Sequence, residues 1–384
     1  TEISGNEIGN VDLEDLITEE TMVVSISHSG RIKRTPASVY RSQRRGGKGL
    51  RGARTQEEDP IEHLFVASTH AYLLFFSNRG RVYWQKVYDL PELSRDSRGR
   101  AVVNLLNLAP DERIADCRSV RDFDKASHFL MMATAGGLVK KTKLEAYSRP
   151  RQGGIIAIKL REGDELVDVV VTKPNDEVVL STANGMAIRF KESDARPMGR
   201  NSSGVRGISL AEGDRLVGMV VAQPEATLLT ACANGYGKRT LFGPGDSVDK
   251  SDSENEESGS TGRYRTQRRG GKGVRDIKTT SRNGPAIGIT QVTDGDEIMI
   301  MTARGKIQRI AASDINIIGR NTQGVRIMSI DGDDALVAVV RVPKEEGNED
   351  AEQDAGSHET ESSGDAGTSD SPGTTTTETD GAED

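Results

Sequence analysis

Cysteine is almost missing from this chain, aromatics are sparse, and no long apolar run occurs. The two cysteines, Cys117 and Cys232, stand 115 positions apart with no metal-ligand spacing around them, and a reducing, cytoplasmic setting is expected. No stretch approaches the roughly 18 apolar residues of a membrane-spanning helix, and no signal-like start is present. The chain opens on Thr1 rather than Met, so a piece of a longer protein is expected. Aromatics make up 4% and hydrophobic residues 34%, against 42 glycines in 384 residues. That balance suits many short strands joined by turns better than a helical bundle. The length allows two or three average domains or one large all-β array.

Enzyme signatures are missing as well. There is no GxxxxGK[ST], HExxH, G-x-S-x-G or CxxC. Gly47, Gly49 and Gly52 match G-x-G-x-x-G, but "ARTQEEDP" follows where a dinucleotide site needs a helix. The five histidines are scattered, with His28 at a turn and His358 near the C-terminus. No nucleophile, metal set or acid–base pair emerges.

The net charge of −8 hides a basic body. Residues 345–384 hold 14 of the 59 acids and no Lys or Arg, which leaves 51 basic residues against 45 acidic ones elsewhere. Six more acids fall in "GPGDSVDKSDSENEESGSTG", Gly243 to Gly262. The rest of the chain is cationic, and a cationic body points to a polyanion, nucleic acid first.

A repeat accounts for most of the chain. Six segments share an apolar strand, a tight turn ending in glycine and a second strand: "MVVSISHSGRIKRT", "YLLFFSNRGRVYWQ", "FLMMATAGGLVKKT", "VVLSTANGMAIRF", "TLLTACANGYGKRT" and "IMIMTARGKIQRI". The turn glycines are Gly30, Gly80, Gly137, Gly185, Gly235 and Gly305, and a positive φ is expected at each. Three positions earlier stand Ser27, Ser77, Thr134, Thr182, Cys232 and Thr302, a column of small residues that reads as packing. Four positions after the glycine stand Arg34, Trp84, Lys141, Arg189, Arg239 and Arg309. Five of these six are cations, and charge of one sign in repeat after repeat favours a functional track, with Trp84 as packing. Each repeat supplies about four short strands, the content of one propeller blade.

A second landmark follows each hairpin, and in two repeats it is nearly identical: "RSQRRGGKGLRG" from Arg41 and "RTQRRGGKGVRD" from Arg265. Arginine and lysine contact phosphates as charge, while glycines let the main chain approach and offer its N–H groups. The first copy combines Gln43, Arg44, Arg45 and Lys48 as donors around Gly46, Gly47 and Gly49. The second has Gln267, Arg268, Arg269 and Lys272 around Gly270, Gly271 and Gly273. With too few aromatics for base stacking, contact with the backbone of a bent duplex is expected.

The segment Gln43 to Gly49 resembles the box motif of the DNA gyrase A C-terminal domain. The similarity runs from about Leu16 to Val342 and includes the six hairpins and "SRDSRGRAVVNLLNL", which looks like the second blade of that family. The resemblance implies an all-β, six-bladed β-pinwheel over residues 16–343, with neighbouring blades exchanging strands. A linker at 1–15, a disordered acidic insert at 243–262 in the fifth blade and a disordered acidic tail at 344–384 complete the expected organisation. The resemblance also implies that double-stranded DNA wraps chirally around the rim, enabling negative supercoiling by the whole enzyme. On that reading this chain is not an enzyme by itself and carries no cofactor or metal. The catalytic tyrosine belongs to the N-terminal part of gyrase A, and ATP and Mg enter through gyrase B. The implied partners are DNA, the rest of gyrase A and the gyrase B protein in an A2B2 assembly, away from any membrane, in the nucleoid-associated cytoplasm.

Two departures from the family pattern stand out. A second intact box lies in the fifth repeat and is expected on the fifth blade, as a further anchor or a change in the extent of the wrap. The acidic insert and tail either compete with DNA for nearby cations or serve solubility and salt adaptation. A propeller-type scaffold for protein partners, and the equivalent domain of a decatenating topoisomerase, stay open as alternatives; two intact boxes argue against the second.

Overall fold

Local chemistry builds the six hairpins. Each turn glycine takes a φ between +71° and +79°, a region that costs other residues steric strain. The small column three residues earlier does more than pack. Ser27, Ser77, Thr182 and Thr302 each accept, at 3.2 Å on the hydroxyl, the N–H of the residue four positions on, and Thr134 does so at 3.3 Å.

The computed structural model describes residues 16–27, 29–40, 50–51, 61–110, 112–120, 123, 127–149, 151, 153–243 and 263–342. The first box, the acidic insert from residue 244 and the acidic tail therefore lie outside the described residues, as does His28. No α-helix occurs among the described residues, and none is long and apolar enough to cross a membrane. The division into units falls between Lys344 and Glu345.

Four strands come from each repeat. The first repeat gives β1 (Thr21–Ser27), β2 (Arg31–Pro36), β3 (Leu50–Arg51) and β4 (Ile61–Ser68). The second gives β5 (Tyr72–Ser77), β6 (Arg81–Lys86), β7 (Arg100–Ala101) and β8 (Ile114–Val120). The third gives β9 (Phe129–Thr134), β10 (Leu138–Lys143), β11 (Ile155–Ile156) and β12 (Leu166–Thr172). The fourth gives β13 (Glu177–Thr182), β14 (Met186–Lys191), β15 (Val205–Arg206) and β16 (Leu216–Ala222). The fifth gives β17 (Thr227–Cys232), β18 (Tyr236–Leu241), β19 (Val274–Arg275) and β20 (Ala286–Val292). The sixth gives β21 (Glu297–Thr302), β22 (Lys306–Ala311), β23 (Val325–Arg326) and β24 (Leu336–Val342).

These strands make six four-stranded antiparallel blades, and the two-residue strand of every repeat belongs to the blade before it. Blade one has the order β4-β1-β2-β7, and blade four the order β16-β13-β14-β19. The exchange closes on itself, because β3 of the first repeat completes blade six beside β22. The innermost strands touch in sequence around the ring, with β24 against β4, and line a central cavity of about 490 Å³.

The core lies between blades rather than within them. In β5, Leu73 and Phe75 pack toward blade one, while Leu74 and Phe76 pack toward blade three. In β21, Ile298 and Ile300 face blade five, and Met299 and Met301 face blade one. Alternate side chains point to opposite faces of a strand, and here both faces are covered. That is why these strands read as continuous apolar runs instead of alternating.

Candidate nucleic-acid interface

The second box is strapped to the outside of blade four. Gln267 N donates to Arg189 O at 2.7 Å, Gly270 N to Gly207 O at 2.7 Å, and Ser209 N to Gly271 O at 2.8 Å. Gly273 has φ +78°, and a Cβ there would stand 2.3 Å from Ala187 O, so no side chain fits. The box then runs into β19, where Val274 pairs with Ala187 and Arg275 with Met186. The fifth-blade placement expected from its repeat is thus corrected: strand exchange carries the box to the blade before. Its donors divide in role. Arg268 and Lys272 are exposed, while Arg269 turns back to the carbonyl oxygens of Asp194, at 3.2 Å, and Arg206. The first box lies outside the described residues, but Leu50, which follows it, pairs with Ile307 of blade six.

The cation column four residues after the turn glycine is not on the surface. Lys141, Arg189 and Arg239 are buried, and Arg34 and Arg309 are half-buried. Arg189 meets Glu177 at 2.5 Å and donates to the carbonyl oxygens of Phe242, Gly243 and Tyr264 at 3.0, 2.8 and 3.2 Å. Arg34 pairs with Glu92 at 3.1 Å and donates to Leu90 O at 2.9 Å. Arg239 pairs with Asp294 at 2.6 Å and donates to Ile315 O at 2.8 Å. Lys141 meets Glu192, and Arg309 meets Glu297 and the carbonyl oxygens of Ala37 and Tyr40 at 3.0 and 3.2 Å. In Arg34, Arg189, Arg239 and Arg309 the side chain reaches carbonyl oxygens of the following repeat, and such oxygens require donors. Uniform sign arises from that requirement, and the expected phosphate track does not run through these five residues. Trp84, the exception, packs against the core between blades two and three.

A neighbouring set of lysines grips the same connections. Lys33 Nζ donates to Ser94 O at 3.2 Å and Ser97 O at 2.8 Å, and burial holds its pKa down to about 8. Lys140 reaches the carbonyl oxygens of Ala157 and Arg200. Burial and then the Arg200 charge lower its pKa to about 7.

A further set of cations occupies a position that only the pairing register reveals. Each two-residue outer strand sets one residue opposite the first residue of the hairpin's second strand. These pairs are Arg31–Ala101, Arg81–Ile156, Leu138–Arg206, Met186–Arg275, Tyr236–Arg326 and Lys306–Arg51, for blades one to six. Every blade carries a cation at this pair. Blades one and two carry it on the hairpin strand, blades three to five on the swapped strand, and blade six on both. Residues directly opposite in an antiparallel pair lie about 4.5–5.5 Å apart on one face, so either strand can serve the same place. Arg31, Arg206, Arg275 and Arg326 are exposed; half-buried Arg81 donates to Gly153 O at 3.1 Å and Gly154 O at 2.9 Å of the next repeat, and half-buried Lys306 pairs with Asp331. Arg31, Arg81, Arg206, Arg275 and Arg326 form no ion pair among the described residues. The sequence signal was "GVRGI", "GVRDI" and "GVRIM", an arginine inside the landmark segments, but the register was needed to add Arg31 and Arg81.

A closed ring of six blades, each completed by the next repeat and carrying an outer cation, defines a β-propeller with a basic rim. Within that class the chain belongs to the family described as DNA gyrase C-terminal domain, beta-propeller, which it matches over residues 21–68, 71–121, 128–173, 176–223, 260–284 and 296–343. It is 45% identical over 357 residues to the DNA gyrase A protein of Escherichia coli K12, covering 93% of this chain and 38% of that protein. Against the DNA gyrase A protein of Clostridium acetobutylicum it is 46% identical over 354 residues, 92% of this chain and 40% of the relative. The chain thus spans about two fifths of the relatives' length. A solved structure of the DNA gyrase A C-terminal domain superposes with a TM-score of 0.72 at 26% identity, covering 84% of this chain and 99% of that one. The C-terminal domain of DNA topoisomerase IV, at 24% identity and TM-score 0.60, shares the fold.

Proposed function

We propose that this ring binds double-stranded DNA along its rim and wraps it chirally, as the C-terminal part of a gyrase A protein. The observation that carries this reading is the cation at one outer pair position on every blade, joined by Arg268 and Lys272 of the second box. The first box, with Arg44, Arg45 and Lys48, would add further donors; Leu50, which follows it, pairs with Ile307 on blade six. A rim of this kind contacts phosphates rather than bases and favours a bent duplex. In the whole enzyme the wrap would present a second DNA segment for negative supercoiling. The catalytic tyrosine would come from the rest of gyrase A, and ATP and Mg from gyrase B in an A2B2 assembly acting on the nucleoid in the cytoplasm.

The test is topological. Relaxed circular DNA is incubated with the chain, treated with a nicking–closing topoisomerase, deproteinised and run on a gel. A linking-number shift that disappears in the Arg44, Arg45 and Lys48 triple-alanine variant is the expected result. Binding with no change in topology would sink the wrapping reading. With about 6–10 phosphate contacts, affinity should fall roughly 10³–10⁵-fold between 50 and 200 mM salt.

A further inference from the structure

Blade five holds two guanidiniums on one neutral atom. Arg282 Nε donates to Tyr236 Oη at 3.3 Å, and Arg326 Nη2 donates to the same oxygen at 3.2 Å. Their guanidinium carbons stand 5.1 and 5.5 Å from the Tyr236 ring centroid. Neither arginine forms an ion pair among the described residues, and both are exposed. Two like charges gathered on a phenol, with no carboxylate between them, leave an anion's place open. The hydrogen bonds from Arg282 and then Arg326 lower the pKa of Tyr236 below its ordinary value.

The turn that carries Arg282 has reversed its charge relative to its counterparts. The matching turns read "REGDEL" at 161–166, "AEGDRL" at 211–216 and "IDGDDAL" at 330–336, whereas blade five reads "TTSRNGPA" at 279–286. In the acidic versions an aspartate receives an N–H of the hairpin turn: Asp164 from Gly136 at 2.8 Å, Asp214 from Asn184 at 3.0 Å, and Asp334 from Arg304 at 3.0 Å. In blade five that task passes to a carbonyl, with Asn234 N donating to Asn283 O at 3.1 Å. Asn283 is fully buried and fastens the turn, its Oδ1 accepting from Thr280 N at 2.8 Å and its Nδ2 donating to Lys278 O and Gln323 O at 3.1 Å. The turn thus has no acids, is anchored through Asn283 and brings Arg282 to the rim pair Tyr236–Arg326.

We propose that Arg282, Arg326 and Tyr236 form a phosphate seat on blade five that takes a backbone phosphodiester of duplex DNA. The proposal rests on the DNA reading above and makes it finer. Blade five follows blade four, which carries the second box, in the ring. The seat extends the cationic surface from the second box onto the next blade.

The experiment measures duplex affinity against salt for the full chain, Arg282→Ala and Tyr236→Phe, with thermal unfolding as the check on folding. The wild type should show a steep slope of log affinity against log salt. Arg282→Ala should lower that slope by about 0.9, one phosphate contact, with its unfolding midpoint unchanged. Tyr236→Phe keeps both charges and should keep the slope. A well-folded Arg282→Ala with the wild-type slope overturns the seat while the DNA reading stands; a wild type without salt dependence removes the DNA reading itself. Replacing chloride by inorganic phosphate at equal ionic strength should preserve the difference between wild type and Arg282→Ala. If phosphate abolishes that difference, the seat takes free phosphate and the duplex assignment falls.

Discussion

Arg189 and Arg275 stand in the same blade and do opposite things. Arg189 is buried among one carboxylate and three carbonyl oxygens, so its removal leaves three carbonyl oxygens without their donor and the half-buried Glu177 with only Thr266 Oγ1. Leaving buried acceptors without a donor costs about 1–3 kcal/mol. Arg189→Ala should show that loss in urea unfolding. Arg275 is exposed at the rim, so Arg275→Ala should change stability by no more than about 0.5 kcal/mol. Its signature should instead be a salt slope for DNA lower by about 1, equally on any sequence. Lys140 supplies a pH test. Its pKa falls from the ordinary 10.5 to about 7 in the fold, so between about pH 7 and 10 the unfolded chain binds more protons. Stability should therefore rise with pH through that window, and Lys140→Met should flatten the rise in melting temperature between pH 7 and pH 9. An equally steep rise in the variant would count against the assignment. Lys33, lowered to about 8, accounts for a residual slope.

At the scale of elements, the hairpins were readable because their signals are local: an apolar run, a turn glycine and a hydroxyl three residues before it. The outer strands were not, since two residues carry no periodicity and their partners belong to another repeat. The error over Arg34, Lys141, Arg189, Arg239 and Arg309 has the same source. A self-alignment shows that a column is cationic, but not whether it faces water or the neighbouring repeat's carbonyls. The rim pairs give this scale its own prediction. In blade four the cation sits on Arg275 and not on Met186, the reverse of Arg31 and Ala101 in blade one. Arg275→Met should lower the salt slope, and adding Met186→Arg should restore it by returning charge to the same place from the other strand. Failure of the double variant to recover, while folded, would mean that the strand matters as well as the position.

For the whole molecule, β3 on β22 is where, among the described strands, the first and last repeats share a blade. Without it blade six has a bare edge, a template for pairing with another chain. Deleting residues 43–51 should therefore lower the melting temperature and produce concentration-dependent association in light scattering. The Arg44, Arg45 and Lys48 triple-alanine variant keeps β3 and should lose wrapping without either change. Six repeats, their glycine turns, the basic body and the two box segments were determined by the amino-acid sequence alone, because each is set by neighbours a few positions away. Which blade a box decorates, which cations face solvent and which are locked between blades were decided only in the tertiary structure. The physical reason is strand exchange, which places every outer strand, and the charge it carries, on a blade built by a different stretch of chain.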